Sequence, residues 1–184
     1  MKMYFYYGVM GSSKTANCLM TKFNFEEHGQ KVLLFKPSID TRDGVTLVRS
    51  RAGLSAQAGL IEPTASICQL IQGQQPDVIM VDEAQFLSPV QVDELRELAD
   101  QGIRVLCYGL RTDYMGRCFP GSLRLFEVCD SFRELVSMCK CGQKAIINAR
   151  YADGKIIYDG QQVIIGGSEQ YVSLCHKCWK EGRL

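Results

Sequence analysis

The sequence predicts an α/β protein, a mainly parallel sheet flanked by helices, followed by a small β-rich lobe at the C-terminal end. Three observations carry that reading. Short apolar or aromatic runs at 4–7, 31–36, 77–81 and 103–108 alternate with stretches of helical spacing, the pattern of a parallel sheet with helical crossovers. Polar segments rich in glycine, acid or arginine follow those runs, where the C-terminal edge of such a sheet binds ligands. After about residue 131 the alternation gives way to paired cysteines, β-branched runs and glycine turns.

Taken in order, residues 4–7 form an aromatic strand. A Gly/Ser segment follows, then a helical pattern from 14 to about 28 that Gly29 ends. Residues 31–36 are a second strand, stopped by Pro37, and 38–54 read as a polar loop with a short strand at 46–49. A helix is expected over 66–71. Residues 77–81 make a short strand of the buried parallel type, ending at Asp82-Glu83. Ser88 caps and Pro89 starts a further helix over 90–99, which stops near Gly102. Residues 103–108 repeat the apolar strand and open into a polar stretch, 109–121. In the last part, β-branched runs at 156–157 and 163–165 are separated by turns at Asp153-Gly154, Asp159-Gly160 and Gly166-Gly167. The expected division is residues 1–138 for the α/β domain and 139–184 for the small lobe.

A chain of 184 residues accommodates one ordinary domain and a small appendage. No apolar run approaches the ~20 residues of a membrane span, so no membrane partner is expected. Twenty-one basic against twenty acidic residues leave a net charge of +1, no field for a polyanion, so nucleic acid is not an expected partner either. The aromatic start lacks the features of an export signal, and nine cysteines are an odd number. A reducing, cytoplasmic setting is therefore expected. Cys18, Cys68, Cys107, Cys118 and Cys129 are scattered and read as small core or boundary residues.

Gly8-Val9-Met10-Gly11-Ser12-Ser13-Lys14-Thr15 lies between a strand and a helix, where backbone N–H groups can cradle phosphates. Ser13 stands where the pattern has glycine, and so relaxed a match arises by chance in about one chain of this length in ten. The plainer alternative is a Gly/Ser turn with a solvated lysine. As a phosphate loop, it would use Lys14 against the β- and γ-phosphates and the Thr15 hydroxyl on Mg²⁺. Asp82-Glu83 then offers a second metal-holding group in Asp82 and a general base in Glu83, against the alternative of a solvated strand end. Cys139 and Cys141 with Cys175 and Cys178 supply four thiolates, enough for a closed tetrahedral Zn²⁺ site that is structural and not catalytic. Two disulfides or buried thiols are the alternatives there. His176 reads as an exposed residue of the knuckle, and His28 as polar helix surface.

The phosphate loop, Lys36-Pro-Ser-Ile-Asp40-Thr-Arg42, Asp82-Glu-Ala-Gln-Phe86, Gly109-Leu-Arg-Thr-Asp-Tyr114, the cysteine pairs and Ile165-Gly-Gly-Ser-Glu-Gln-Tyr171 occur in one order. In that order and along the whole chain the sequence resembles the type II, zinc-containing thymidine kinases, their bacterial members in particular. The resemblance implies transfer of the γ-phosphoryl group of MgATP to the 5′-hydroxyl of thymidine or deoxyuridine, with Glu83 as base. It implies an ATP site made of residues 8–15 with Asp40, Arg42, Asp82 and Gln85. It places Met10, Phe86, Leu110 and Tyr114 around the base and gives Gln162, Val163, Ile164, Ile165 and Gly166 to a lasso whose backbone reads the base, with Tyr171 touching the nucleoside. A homotetramer is implied as well. Tyr114 stands where the family often has phenylalanine. From the residues alone, 163–167 read as a strand ending in a turn. A P-loop ATPase whose zinc ribbon handles nucleic acid is the other reading, and the near-neutral charge speaks against it.

Overall fold

The computed structural model describes residues 2–41, 44–162 and 170–184. Its elements run β1 (Met3–Tyr7), α1 (Lys14–Glu27), β2 (Val32–Pro37), β3 (Leu47–Arg49), β4 (Ser55–Gln57), β5 (Gly59–Ile61), α2 (Ile67–Leu70), β6 (Val78–Val81), α3 (Pro89–Asp100), β7 (Arg104–Gly109), α4 (Pro120–Val128), β8 (Ser131–Glu134), β9 (Ser137–Met138), β10 (Lys144–Ala145), β11 (Ile147–Ala152), β12 (Lys155–Ile157), β13 (Gln170–Leu174) and α5 (His176–Lys180). A six-stranded sheet has the order β5-β2-β6-β7-β1-β8, and each of its pairings is parallel.

Both faces of that sheet are covered, which is why β6 is apolar throughout: Val78, Ile79, Met80 and Val81 have no exposed surface. Val78 and Met80 join Leu34, Leu106, Tyr108 and, from α1, Cys18 and Leu19. Ile79 and Val81 join Phe5, Phe35, Val105 and, from α3 and α4, Val92, Leu95 and Leu125. Burying each such aliphatic side chain contributes roughly 1.5–3 kcal/mol. The expected start of α3 is present as a reciprocal capping box between Ser88 and Gln91, with Pro89 in the first turn. Helix α4 and strand β8 were not expected. The glycine and proline at the head of α4 disguise its helical spacing, and β8 is an edge strand with Phe132 and Arg133 exposed, so it lacks the continuous apolar run that identifies inner strands.

The small lobe is a three-stranded antiparallel sheet, β12-β11-β13, beside the hairpin of β9 and β10. That hairpin begins at Ser137, so the expected boundary after residue 138 falls inside it. The turn at Asp153-Gly154 joins β11 to β12, with both residues at positive φ. The loops after β1, β6 and β7 leave three adjacent strands at the same edge, which brings the phosphate-loop sequence, the acid pair and residues 110–114 together.

Candidate active site

Gly8 leaves β1 under tight constraint. A Cβ there would lie 2.4 Å from the Leu135 carbonyl oxygen and 2.5 Å from Ser12 Oγ, so only glycine fits. Lys14 begins α1 and its ammonium donates to the Val9 carbonyl at 2.7 Å and lies 3.4 Å from Ser12 Oγ. The Thr15 hydroxyl donates to Asp82 Oδ2 at 2.9 Å. The two residues expected to share a metal thus converge, one from the first turn of α1 and the other from the end of β6.

Ser13 sits at φ 60°, ψ 25°, in the left-handed region, which explains why a glycine suits this position. Ser13→Gly is expected to raise stability by about 0.5–1 kcal/mol, the left-handed penalty of roughly 1–2 kcal/mol reduced by the entropy that glycine loses on folding. The midpoint of urea unfolding measures it, and a midpoint at or below that of the parent chain would sink the strain argument.

Asp82 is buried at the end of β6. Burial, followed by the charge of Glu83, raises its carboxyl to about 7, against the opposing pull of the Thr15 hydroxyl and Lys14. A cation beside it would supply the charge that favours the carboxylate. Glu83 also adopts a left-handed conformation, φ 53°, at the head of a 3₁₀ turn over Ala84–Phe86. Gln85, 1% exposed, donates from Nε2 to Glu83 Oε2 at 2.5 Å and accepts at Oε1 from the Leu110 N–H at 2.9 Å. Both ends of its amide are taken by the acid and by the loop after β7, not by the phosphate loop.

A cavity of about 780 Å³ joins these groups. Met10, Gly11, Ser13, Lys14, Thr15, Asp40, Asp82, Glu83 and Gln85 line it, together with Phe86, Leu110, Tyr114, Gln162 and Tyr171. Gly8, Val9 and Ser12 are buried and do not line it. Asp40 lies 3.8 Å from the buried ammonium of Lys36. Arg42, Val163, Ile164, Ile165 and Gly166 lie outside the described residues. Phe86 meets Phe119 edge to face at 5.7 Å. Tyr114 is 1% exposed, with its ring beneath the Arg150 guanidinium, whose Cζ is 3.8 Å from the ring centre.

Sequence reasoning missed several residues here. The Met10 N–H donates to Asn148 Oδ1 at 2.6 Å, and the Met10 carbonyl accepts from the Ser173 hydroxyl at 2.7 Å. The small lobe therefore holds the phosphate loop by its main chain. Buried Asp113 accepts from the N–H groups of Met115 and Arg117 and, at 2.9 Å, from Gln162 Nε2. The polar interruptions of the strand 147–152 at Asn148 and Arg150 were the available signal.

The Sγ atoms of Cys139, Cys141, Cys175 and Cys178 lie within 4.8 Å of one another. A tetrahedral ion with metal–sulfur bonds of about 2.3 Å spaces its sulfurs about 3.8 Å apart, and Cys141 and Cys175 are 3.6 Å apart. Four ligand atoms that could hold a metal ion are thus assembled by the β9–β10 turn and the head of α5. Burial opposes the Cys139 thiolate, but the N–H groups of Cys141 and Cys175 and the neighbouring thiols outweigh it and bring its pKa down to about 6. Burial and the other three cysteines push Cys178 up to about 12. One thiolate among crowded sulfurs raises the cost of the next, and a cation removes that conflict. His176 is exposed and packs near Trp179, with ring centres 5.7 Å apart. Of the scattered cysteines, Cys18 and Cys107 are buried, Cys68 and Cys129 half-buried, and Cys118 exposed. No helix among the described residues is long and apolar enough to cross a membrane.

A family model described as thymidine kinase matches residues 1–179. The chain is 42% identical over 186 residues to the thymidine kinase of Yersinia pseudotuberculosis serotype I (strain IP32953), spanning 98% of this chain and 95% of that protein. It is 43% identical to the thymidine kinase of Legionella pneumophila (strain Paris), with 98% and 90% covered. For the thymidine kinase of Vibrio vulnificus (strain CMCP6) the identity is 42%, with 98% and 97% covered.

Proposed function

The chain belongs to the thymidine kinase family, and on that premise we propose that it transfers the γ-phosphoryl group of ATP to the 5′-hydroxyl of thymidine or deoxyuridine, with Glu83 as general base. The observation that carries this reading is one cavity lined by Lys14, Thr15, Asp82 and Glu83 together with Phe86, Leu110, Tyr114 and Tyr171, with Thr15 bonded to Asp82 and Glu83 linked through Gln85 to Leu110. Residues 8–15 form the phosphate-holding loop, of which Met10, Gly11, Ser13, Lys14 and Thr15 line the cavity, and Asp40 joins them, with Arg42 assigned there by its motif.

In the reaction the 5′-oxygen forms a bond to the γ-phosphorus while the bond from that phosphorus to the β,γ-bridging oxygen breaks, and ADP leaves. Glu83 takes the proton of the 5′-hydroxyl. Gln85 holds the carboxylate toward the nucleoside side through its bond to Leu110, a positioning task that its engaged amide favours over phosphate binding. Lys14 balances the charge on the phosphates. Thr15 and Asp82 would hold Mg²⁺, which supplies electrostatic stabilisation of the phosphate oxygens. Cys139, Cys141, Cys175 and Cys178 would hold a structural Zn²⁺. Phe86, Met10, Leu110 and Tyr114 enclose the base, Tyr171 touches the nucleoside, and Gln162 with 163–166 forms the segment that reads the base.

The test is transfer of labelled γ-phosphate from MgATP to a panel of nucleosides. Thymidine and deoxyuridine are expected to be labelled. If ATP is hydrolysed and no nucleoside is labelled, a zinc-ribbon ATPase takes the reading's place, and salt-dependent retention on polynucleotide would then be expected. A cytoplasmic homotetramer completes the proposal; sedimentation equilibrium distinguishes four chains from one.

A further inference from the structure

Arg150 is a buried cation that this mechanism leaves without a task. It lies on β11, 2% exposed, opposite Tyr171 on β13 and Ile157 on β12. A guanidinium stays charged, and burying it is costly unless its donors and charge find partners. Among the described residues no carboxylate pairs with it. Its Nη1 donates to the Gln161 carbonyl and its Nη2 to the Asp159 carbonyl, both at 3.1 Å, and its face covers the Tyr114 ring.

These partners fall into two groups. Tyr114 lines the cavity, whereas Asp159 and Gln161 belong to the chain that leaves β12. Arg150 joins the one to the other. Gly160 lies between the two carbonyls at φ 126°, and a Cβ there would stand 2.8 Å from Arg150 Nη2 and 3.4 Å from the Tyr114 hydroxyl oxygen. A methyl group there would have to push the guanidinium tip aside. One residue later, Gln162 ties the same stem to Asp113, beside Tyr114. Stem 159–162 is thus fastened twice to the turn that carries the pocket wall.

We infer that Arg150 is a positioning residue that sets affinity for the nucleoside, by clamping stem 159–162 against Tyr114 with a face-on cation–π contact and a two-pronged hydrogen bond. This rests on the reading that the cavity lined by Tyr114 and Gln162 holds the nucleoside. Arg150 touches neither the acid pair nor the phosphate loop, so its effect belongs in binding of one substrate and not in the transfer step.

The experiment compares Arg150→Met and Arg150→Lys with the parent chain in steady-state kinetics, zinc content and backbone hydrogen exchange over 158–162. Arg150→Met is expected to raise KM for thymidine by about tenfold, with kcat and KM for ATP within about twofold, and zinc retained. Exchange over 158–162 is expected to quicken. Arg150→Lys keeps a charge over the ring but loses the planar fork, and an intermediate KM is expected. If Arg150→Met fails to fold, Arg150→Lys supplies the test: a thymidine KM equal to that of the parent chain overturns the inference. An unchanged thymidine KM, or equal rises in both KM values together with loss of zinc, overturns the inference. If the parent chain does not phosphorylate thymidine, the proposed function has failed, and the exchange measurement alone decides: unaltered protection of 158–162 in Arg150→Met overturns the clamp.

Discussion

Glu83→Gln is expected to lower kcat by about a thousandfold, within the range seen for loss of a general base, and to leave ATP affinity within about twofold. Glutamine has nearly the same shape as glutamate and retains an oxygen that can accept from Gln85 Nε2, so the 3₁₀ turn and the contact to Leu110 survive. What the amide cannot do is accept the proton of the 5′-hydroxyl. The groups assigned to the phosphates and metal, Lys14, Thr15 and Asp82, are untouched by the change, and Thr15 remains bonded to Asp82. Single-turnover transfer to thymidine, with ATP binding measured by calorimetry, separates the two effects. Turnover at the parent rate would move the base role away from Glu83, and loss of ATP binding would mean that the left-handed turn itself had collapsed.

The second large effect is expected from the sulfur cluster. Cys178→Ser should bind less than about a tenth of the parent's zinc and lose thymidine turnover about a hundredfold, because metal binding and folding of a small lobe are one equilibrium. Magnitudes favour this outcome. Among the described residues, the buried members of the lobe's apolar cluster are Ala145, Ala149 and Leu174 with three of the cysteines themselves, joined by Val9 from the loop after β1, while Ile156, Val172, Trp179 and Leu184 pack against it half-buried. A buried aliphatic side chain contributes roughly 1.5–3 kcal/mol and an alanine less, whereas a structural zinc site contributes on the order of 10 kcal/mol. Metal content, together with limited proteolysis across 137–184, reads the result. Nucleoside binding should fail before ATP binding, since the groups proposed to hold ATP, residues 8–15 with Asp40 and Asp82, lie at the strand ends of the large sheet. Simultaneous and equal loss of both would assign the metal a role in the whole chain.

The fold was legible wherever one physical requirement governed a run of residues. Strand 78–81 must bury both faces, so it is apolar without interruption. Helix 89–100 must satisfy its first N–H groups, so Ser88, Pro89 and Gln91 announce it. The loop 8–15 and the acid pair stood out because particular residue types sit at strand ends: glycine where the backbone passes close to Leu135 and Ser12, and acids where β6 stops. Helix 120–128 and edge strand 131–134 carried weaker marks: a Pro-Gly start, and an edge that need not be apolar. In the site, the positions that act through other residues were the hidden ones. Gln85 looks like one more polar residue of a motif until its amide is seen between Glu83 and Leu110. Asn148 and Arg150 resemble surface positions of an alternating strand, yet both are buried, and their partners lie far away in sequence, at Met10 and Tyr114. Spacing along the chain carries no trace of such pairings.

The grip of Asn148 and Ser173 on Met10 bears on how the molecule can be dissected. A fragment ending at residue 138 would contain every residue of the phosphate loop and the acid pair, and would look like a minimal nucleotide-binding unit. It would nevertheless strip Val9 of the cluster it packs in and leave the Met10 N–H and carbonyl without their side-chain partners. The loop after β1 is held by chain that arrives 138 residues later, measured from Met10 to Asn148. Excision at that seam therefore removes, along with the lobe, the partners of Met10 and the packing of Val9.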